Sequence, residues 1–175
     1  MRDREYEARK RCGYHLVVLP GLLQTAEYAE EVLKASPTIK PEQVPEGIAL
    51  RMQRQRILFE GGRNFGFVIT ESALRRSFGS PALMVAQYER LLHLSTYRTI
   101  EIAILPDDVP SPVVPHEFTI FDDSLVHIGT VTKPVTVSET PDVHSYISLY
   151  DELLQLSLKE EDAREVIKRL TEADH

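Results

Sequence analysis

Arginine is the side chain through which this sequence offers most chemistry. Arg51-Met52-Gln53-Arg54-Gln55-Arg56 is its densest basic cluster, and in a helix Arg51 and Arg54 share one face at i and i+3, with Gln55 beside them. Guanidinium forks recognise carboxylate and phosphate bidentately. The segment therefore reads either as a clamp for an anionic ligand or as a solvated helix face carrying an ion pair. Glu71, in Thr70-Glu71-Ser72-Ala73-Leu74-Arg75-Arg76, follows a short apolar run. A helix dipole would favour a carboxylate there, and the same carboxylate is available to pair with Arg51 or Arg54 across the fold.

Other reactive side chains form no recognisable set. His15, His93, His116, His127, His144 and His175 are scattered, without the spacing of a helical zinc site, and read as structural or surface residues. The single cysteine, Cys12, permits no internal disulfide and no Cys-based zinc site; it reads as a small buried hydrophobe in a reducing compartment. Gly61-Gly62-Arg63-Asn64-Phe65-Gly66 lacks the strand-loop-helix order and Lys-Ser/Thr ending of a phosphate loop, and no Gly-x-Ser-x-Gly elbow is present. The expectation is a protein that is not an enzyme, with no catalytic residue, no metal and no cofactor. An enzymatic alternative would have to use Glu71 or a histidine, with a strongly shifted pKa inside a cleft.

Bulk composition narrows the classes further. The 175 residues suffice for one ordinary domain. Twenty Lys and Arg against 27 Asp and Glu give a net charge of −7, which disfavours direct nucleic-acid binding by this chain. No apolar run is long enough to cross a bilayer, and Met1-Arg2-Asp3-Arg4-Glu5 leads into charge rather than a signal-peptide core. The expectation is a cytoplasmic protein with no membrane partner.

These residues need elements to position them. Residues 1–15 read as a charged lead-in helix, and residues 16–172 as one domain. Pro20-Gly21 punctuates the chain, with glycine available for the positive φ of a type II turn. Leu22, Leu23, Ala26, Ala29, Val32 and Leu33 then recur at helical spacing over residues 22–35. Further helices are expected over residues 46–60, stopped by Gly61-Gly62, over 71–78, and from Ser80-Pro81 to Ser95. Strands are expected at 65–69, 99–105, 117–121, 125–130 and 133–138, the third and fourth forming a hairpin. Two closing helices begin at Thr140-Pro141 and Lys159, the last with an apolar stripe of Ala163, Val166, Ile167 and Leu170. Helices before and after a cluster of short strands predict a single α+β domain, its N- and C-terminal helices packed on a small mixed or antiparallel sheet.

Taken in order, the fragments resemble a family. Glu7-Ala8, then Leu19-Pro20-Gly21-Leu22-Leu23-Gln24-Thr25-Ala26-Glu27-Tyr28-Ala29, Arg51-Met52-Gln53-Arg54-Gln55, Glu71-Ser72-Ala73-Leu74-Arg75-Arg76 and Met84-Val85-Ala86-Gln87-Tyr88-Glu89-Arg90-Leu91 match in sequence. Glu117-Phe118-Thr119-Ile120-Phe121, Tyr150-Asp151-Glu152-Leu153 and Ala163-Arg164-Glu165-Val166-Ile167 follow. The chain resembles the antitoxin-like regulatory domain of unknown function that follows a Cro/XRE-type helix-turn-helix in actinobacterial transcription regulators. Here the motif lies so close to Met1 that no helix-turn-helix is expected before it. Val126-His127-Ile128-Gly129-Thr130 also departs from the family's aromatic and glutamate in that strand. The resemblance implies a regulatory module that binds a small partner protein or a helix-turn-helix regulator, compatible with a homodimer, and modulates transcription indirectly. The alternative is a sensor of an anionic metabolite. Gln24, Thr25, Tyr28, Arg51, Arg54, Gln55, Glu71 and Arg75 are the matched polar residues expected to form a ligand- or partner-binding network.

Overall fold

Where apolar alternation, caps and breakers fall along the chain sets the order of its elements. The computed structural model describes residues 7–173, and every element named here lies among them. Strand β1 (Lys10–His15) is followed by an irregular crossing to helices α1 (Ala26–Lys34) and α2 (Val44–Arg54), the latter continuing as a 3-10 turn over Gln55–Phe59. Next come β2 (Asn64–Thr70), the short α3 (Glu71–Arg75), α4 (Pro81–Leu94) and β3 (Ile100–Leu105). The chain then forms β4 (Phe118–Phe121), β5 (Leu125–Ile128), β6 (Val135–Val137), α5 (Thr140–Leu156) and α6 (Glu160–Ala173). Side-chain oxygens cap three helices: Thr25 accepts from the Tyr28 amide, Thr70 from Ala73 and Ser80 from Leu83.

The six strands make one mixed sheet in the order β3-β2-β1-β4-β5-β6. β1, β2 and β3 are parallel neighbours, while β4, β5 and β6 add on antiparallel. Parallel pairs require crossovers, supplied by the α1–α2 and α3–α4 segments. Alternation along the strands then feeds two cores. Phe65, Phe67 and Ile69 of β2 and Ile100, Ile102 and Ile104 of β3 pack with Leu23, Tyr28, Tyr88, Leu91 and Ile167, so α1, α4 and α6 cover one face. Cys12, Tyr14, Val68, Ala103, Phe118 and Ile120 pack with Val143, Tyr150 and Leu153 of α5 on the other. This is the expected α+β domain, with the sheet mixed.

Several expectations need correction. The lead-in helix over residues 1–15 fails at its second half, because residues 10–15 are a strand; residues 1–6 lie outside the described residues. β1 sits inside the sheet with partners on both edges, and that pairing overrides the helical propensity of its charged letters. The helix expected from residue 22 begins at Ala26, because Leu22 and Leu23 belong to a turn closed by the Leu23 amide on the Pro20 carbonyl, 2.8 Å. That turn leaves Gly21 outside the positive-φ region, which among the glycines is occupied by Gly62 (79°) and Gly79 (74°). Among the described residues no helix is long and apolar enough to cross a membrane.

Candidate functional site

The sheet's first face changes character at β1. Gly13 pairs with Phe67 in register, so Arg11, Gly13 and His15 point to the same side as Phe65, Phe67 and Ile69. On the other flank Gly13 faces Thr119 and Arg11 faces Phe121. Where its parallel neighbours supply Phe and Ile, β1 supplies a glycine between two cationic residue types, and the apolar floor is interrupted. Pro20, Gly21 and Leu22 cross above this gap, together with Arg51 and Arg54 at the end of α2. The result is a cavity of about 210 Å3, lined also by Arg11, Gly13, His15, Phe67, Thr119 and Phe121.

A buried amide network holds that roof in place. Gln24 Nε2 donates to the Leu19 carbonyl at 2.7 Å, while Gln24 Oε1 accepts from Arg51 Nη1 at 2.7 Å. Gln55 Nε2 donates to the carbonyls of Gly21 (2.9 Å) and Gln24 (2.8 Å), and its Oε1 accepts from Arg90 at 2.6 Å. Gln87, buried in α4, accepts from the Thr25 amide at 2.7 Å and donates to the Leu23 carbonyl at 3.0 Å. An irregular crossing through the interior needs such partners for its backbone groups. Tyr28 is buried under it, accepts from the Leu19 amide at 3.4 Å, and has its phenol pushed up to about 12 chiefly by burial.

The electrostatics of the cavity are one-sided. Among the described residues its lining contains no Asp or Glu. Arg51 donates to a neutral amide, and neither Arg51 nor Arg54 has a carboxylate partner among the described residues. Burial, and then the like charge of Arg54, both hold the Arg51 pKa below its ordinary value. The Arg11 guanidinium lies over the Phe121 ring, 5.3 Å from its centroid. His15 folds back over Gly13, where a Cβ would stand only 2.6 Å from its Nε2. Burial lowers its pKa to about 4, and that nitrogen is shielded and has no hydrogen-bond partner. The ring is therefore neutral near pH 7. A larger cleft of about 610 Å3, at the other end of the parallel strands, is balanced by contrast: Lys10, Arg98 and Arg164 face Glu101, Asp151 and Glu160.

Of the eight residues expected to form a network, the structure brings Gln24, Arg51 and Gln55 into direct contact, with Thr25 and Tyr28 bonded to the same crossing and Arg54 beside the cavity. It separates Glu71 and Arg75 from them. Glu71 takes Arg75 as its partner at 2.6 Å, receives the Asp107 amide at 3.4 Å, and lines none of this cavity. Sequence reasoning missed Arg11, Gly13 and His15, because β1 was hidden in a charged segment. It also missed the structural roles of Gln87 and Arg90; the signal for Gln87 was an amide inside an otherwise apolar helical stripe. No group of three His, Cys, Asp or Glu side chains among the described residues is placed to hold a metal ion.

Fold and site together define a mixed-sheet α+β domain with a cationic cavity beneath a fixed turn. The chain belongs to the family described as a domain of unknown function (DUF5753), whose model matches residues 1–169. No curated protein and no solved structure matches it.

Proposed function

We propose that this domain is a non-catalytic regulatory module whose effector is a small anionic metabolite held by Arg51 and Arg54. The observation that carries the reading is two neighbouring guanidiniums over a cavity, with no carboxylate partner and no acidic lining residue among the described residues. Each like charge makes the other costlier to hold, and a bound carboxylate or phosphate relieves both while accepting bidentate hydrogen bonds. Glu71 drops out of the expected pocket because it is engaged with Arg75. The non-catalytic reading draws on a lining whose described residues carry no carboxylate, thiol or serine hydroxyl, and on a His15 with no orienting acid among the described residues.

A regulatory module needs an output. By its resemblance to helix-turn-helix regulators, the domain acts in the cytoplasm through a partner protein, modulating transcription without touching DNA itself. Val135, exposed on the edge strand β6, supports a protein-facing edge. Co-purification of a helix-turn-helix regulator or one specific small protein from the native host tests this output, and recovery of nothing specific contradicts it. For the effector, thermal melting at low ionic strength against acetate, benzoate, citrate and phosphate is the direct screen. At least one anion should stabilise the chain and lose most of that effect in Arg54→Gln. No stabilisation by any of them, or equal stabilisation of the variant, would overturn the reading.

A further inference from the structure

Resting on the anion-site reading, we propose that His15 is the third cationic residue of the site: its imidazole takes up a proton as the anion settles on Arg51 and Arg54, so that anion binding strengthens as the pH falls. His15 lines the cavity together with both arginines. Its Nε2 is shielded and without a hydrogen-bond partner, folded back to within 2.6 Å of the place a Gly13 Cβ would take. A shielded ring nitrogen left unbonded is costly, and the missing side chain at Gly13 is what makes room for it there.

The groups around the ring keep it neutral in the free chain. Arg11, on the same strand and face, holds its guanidinium over Phe121, and Arg51 and Arg54 stand at the end of α2. Phe67 of β2 offers only an aromatic ring, its centroid 6.0 Å away, and Thr119 of β4 a neutral hydroxyl. Glu117, just ahead of β4, gives its Oε1 to the Leu16 and Val17 amides, both at 3.0 Å. A proton on His15 thus meets burial, which sets the pKa at about 4, and adds to the positive charge of the arginines. An anion on the two guanidiniums reverses that balance, because a nearby opposite charge favours the charged form of a titrating group. Protonated, the ring donates from both nitrogens. The coupling is reciprocal: the factor by which the anion raises proton affinity is the factor by which the proton raises anion affinity.

Sulfate is the probe, because it stays a dianion throughout the range and brings no titration of its own. In calorimetric titrations of the full chain at constant ionic strength, sulfate should bind about tenfold more tightly at pH 5 than at pH 7.5. His15→Gln should lose most of that gain. Equal affinity of the unaltered chain at the two pH values, or the same gain in His15→Gln, overturns the proposal and leaves the anion site standing. If His15→Gln melts early, the assigned His15 imidazole resonance of the unaltered chain decides. Its titration midpoint should rise under saturating sulfate, and an unmoved midpoint overturns the proposal. No sulfate binding at either pH overturns it too, and the anion site falls with it when the acetate, benzoate, citrate and phosphate screen is also negative.

Discussion

Arg54 is the residue on which function and stability separate most cleanly. Its side chain is exposed and engages no acid among the described residues, yet it lines the cavity. Arg54→Gln should therefore change folding stability by no more than about 0.5 kcal/mol while weakening anion binding about tenfold or more; urea melts and calorimetry on the same preparation check both. His15 predicts a pH effect. Its pKa is about 4 in the fold against 6.5 in the unfolded chain. Above pH 6.5 neither state carries the proton. Between 6.5 and 4 the unfolded chain takes it up and the folded chain does not, so stability falls as pH drops through that window, by about 3 kcal/mol at most, and the loss stops below pH 4. His15→Gln should remove this component, so that the wild-type advantage at pH 7.5 narrows at pH 4.5 in urea melts. Arg51 and Arg54 were legible from their spacing. His15 was not, because one imidazole among six carries no local sign of burial.

At the scale of elements, the roof depends on side-chain amides rather than on helix or sheet ladders. Gln55 satisfies the Gly21 and Gln24 carbonyls and accepts from Arg90. Gln55→Leu strands all three and should cost about 2–4 kcal/mol, read as a lower urea midpoint with an unchanged slope. The binding of anions should weaken with it, since Arg51 reaches the cavity beside a turn that Gln55 fixes. Most elements were legible: Ser80-Pro81 opened α4, Gly61-Gly62 stopped the segment before β2, and Asp122-Asp123 turned the β4–β5 hairpin at φ 47° and 53°. β1 was the costly miss. Arg11, Gly13 and His15 are its cavity-side residues, so the alternation that betrays a half-buried strand is broken on the face that matters for the site. Its identity follows from long-range pairing to β2 and β4, which local sequence does not display.

Across the whole molecule, charge is the organising contrast. A chain of net charge −7 places Arg51 and Arg54, neither with a carboxylate partner among the described residues, at one cavity, while its larger cleft balances acids against bases. Binding should accordingly weaken as sodium chloride rises, because part of the attraction is screened. A ligand that binds only the folded chain adds about 2.7 kcal/mol at a hundredfold excess over its Kd, which for a domain of this size raises Tm by roughly 5–10 °C. Because one sheet feeds both cores, the shift should move a single transition; two transitions, with only one responding, would contradict that architecture. The layer order was legible in the helices that bracket the strands. The sheet was expected as mixed or antiparallel; sequence did not choose between the two, because β1, which pairs parallel on one edge and antiparallel on the other, lay in the segment read as a lead-in helix.

In the proposed function Arg51 and Arg54 jointly hold an anion. Side-chain Nε–Hε resonances of the 15N-labelled chain, titrated with benzoate at low salt, test it most directly. Saturable shifts of the Arg51 and Arg54 signals are expected, assigned through Arg51→Lys and Arg54→Gln, with the Arg75 signal unmoved on its Glu71 partner. Uniform small shifts across all arginines, or saturable shifts that persist at Arg51 after Arg54→Gln with unchanged affinity, would contradict it.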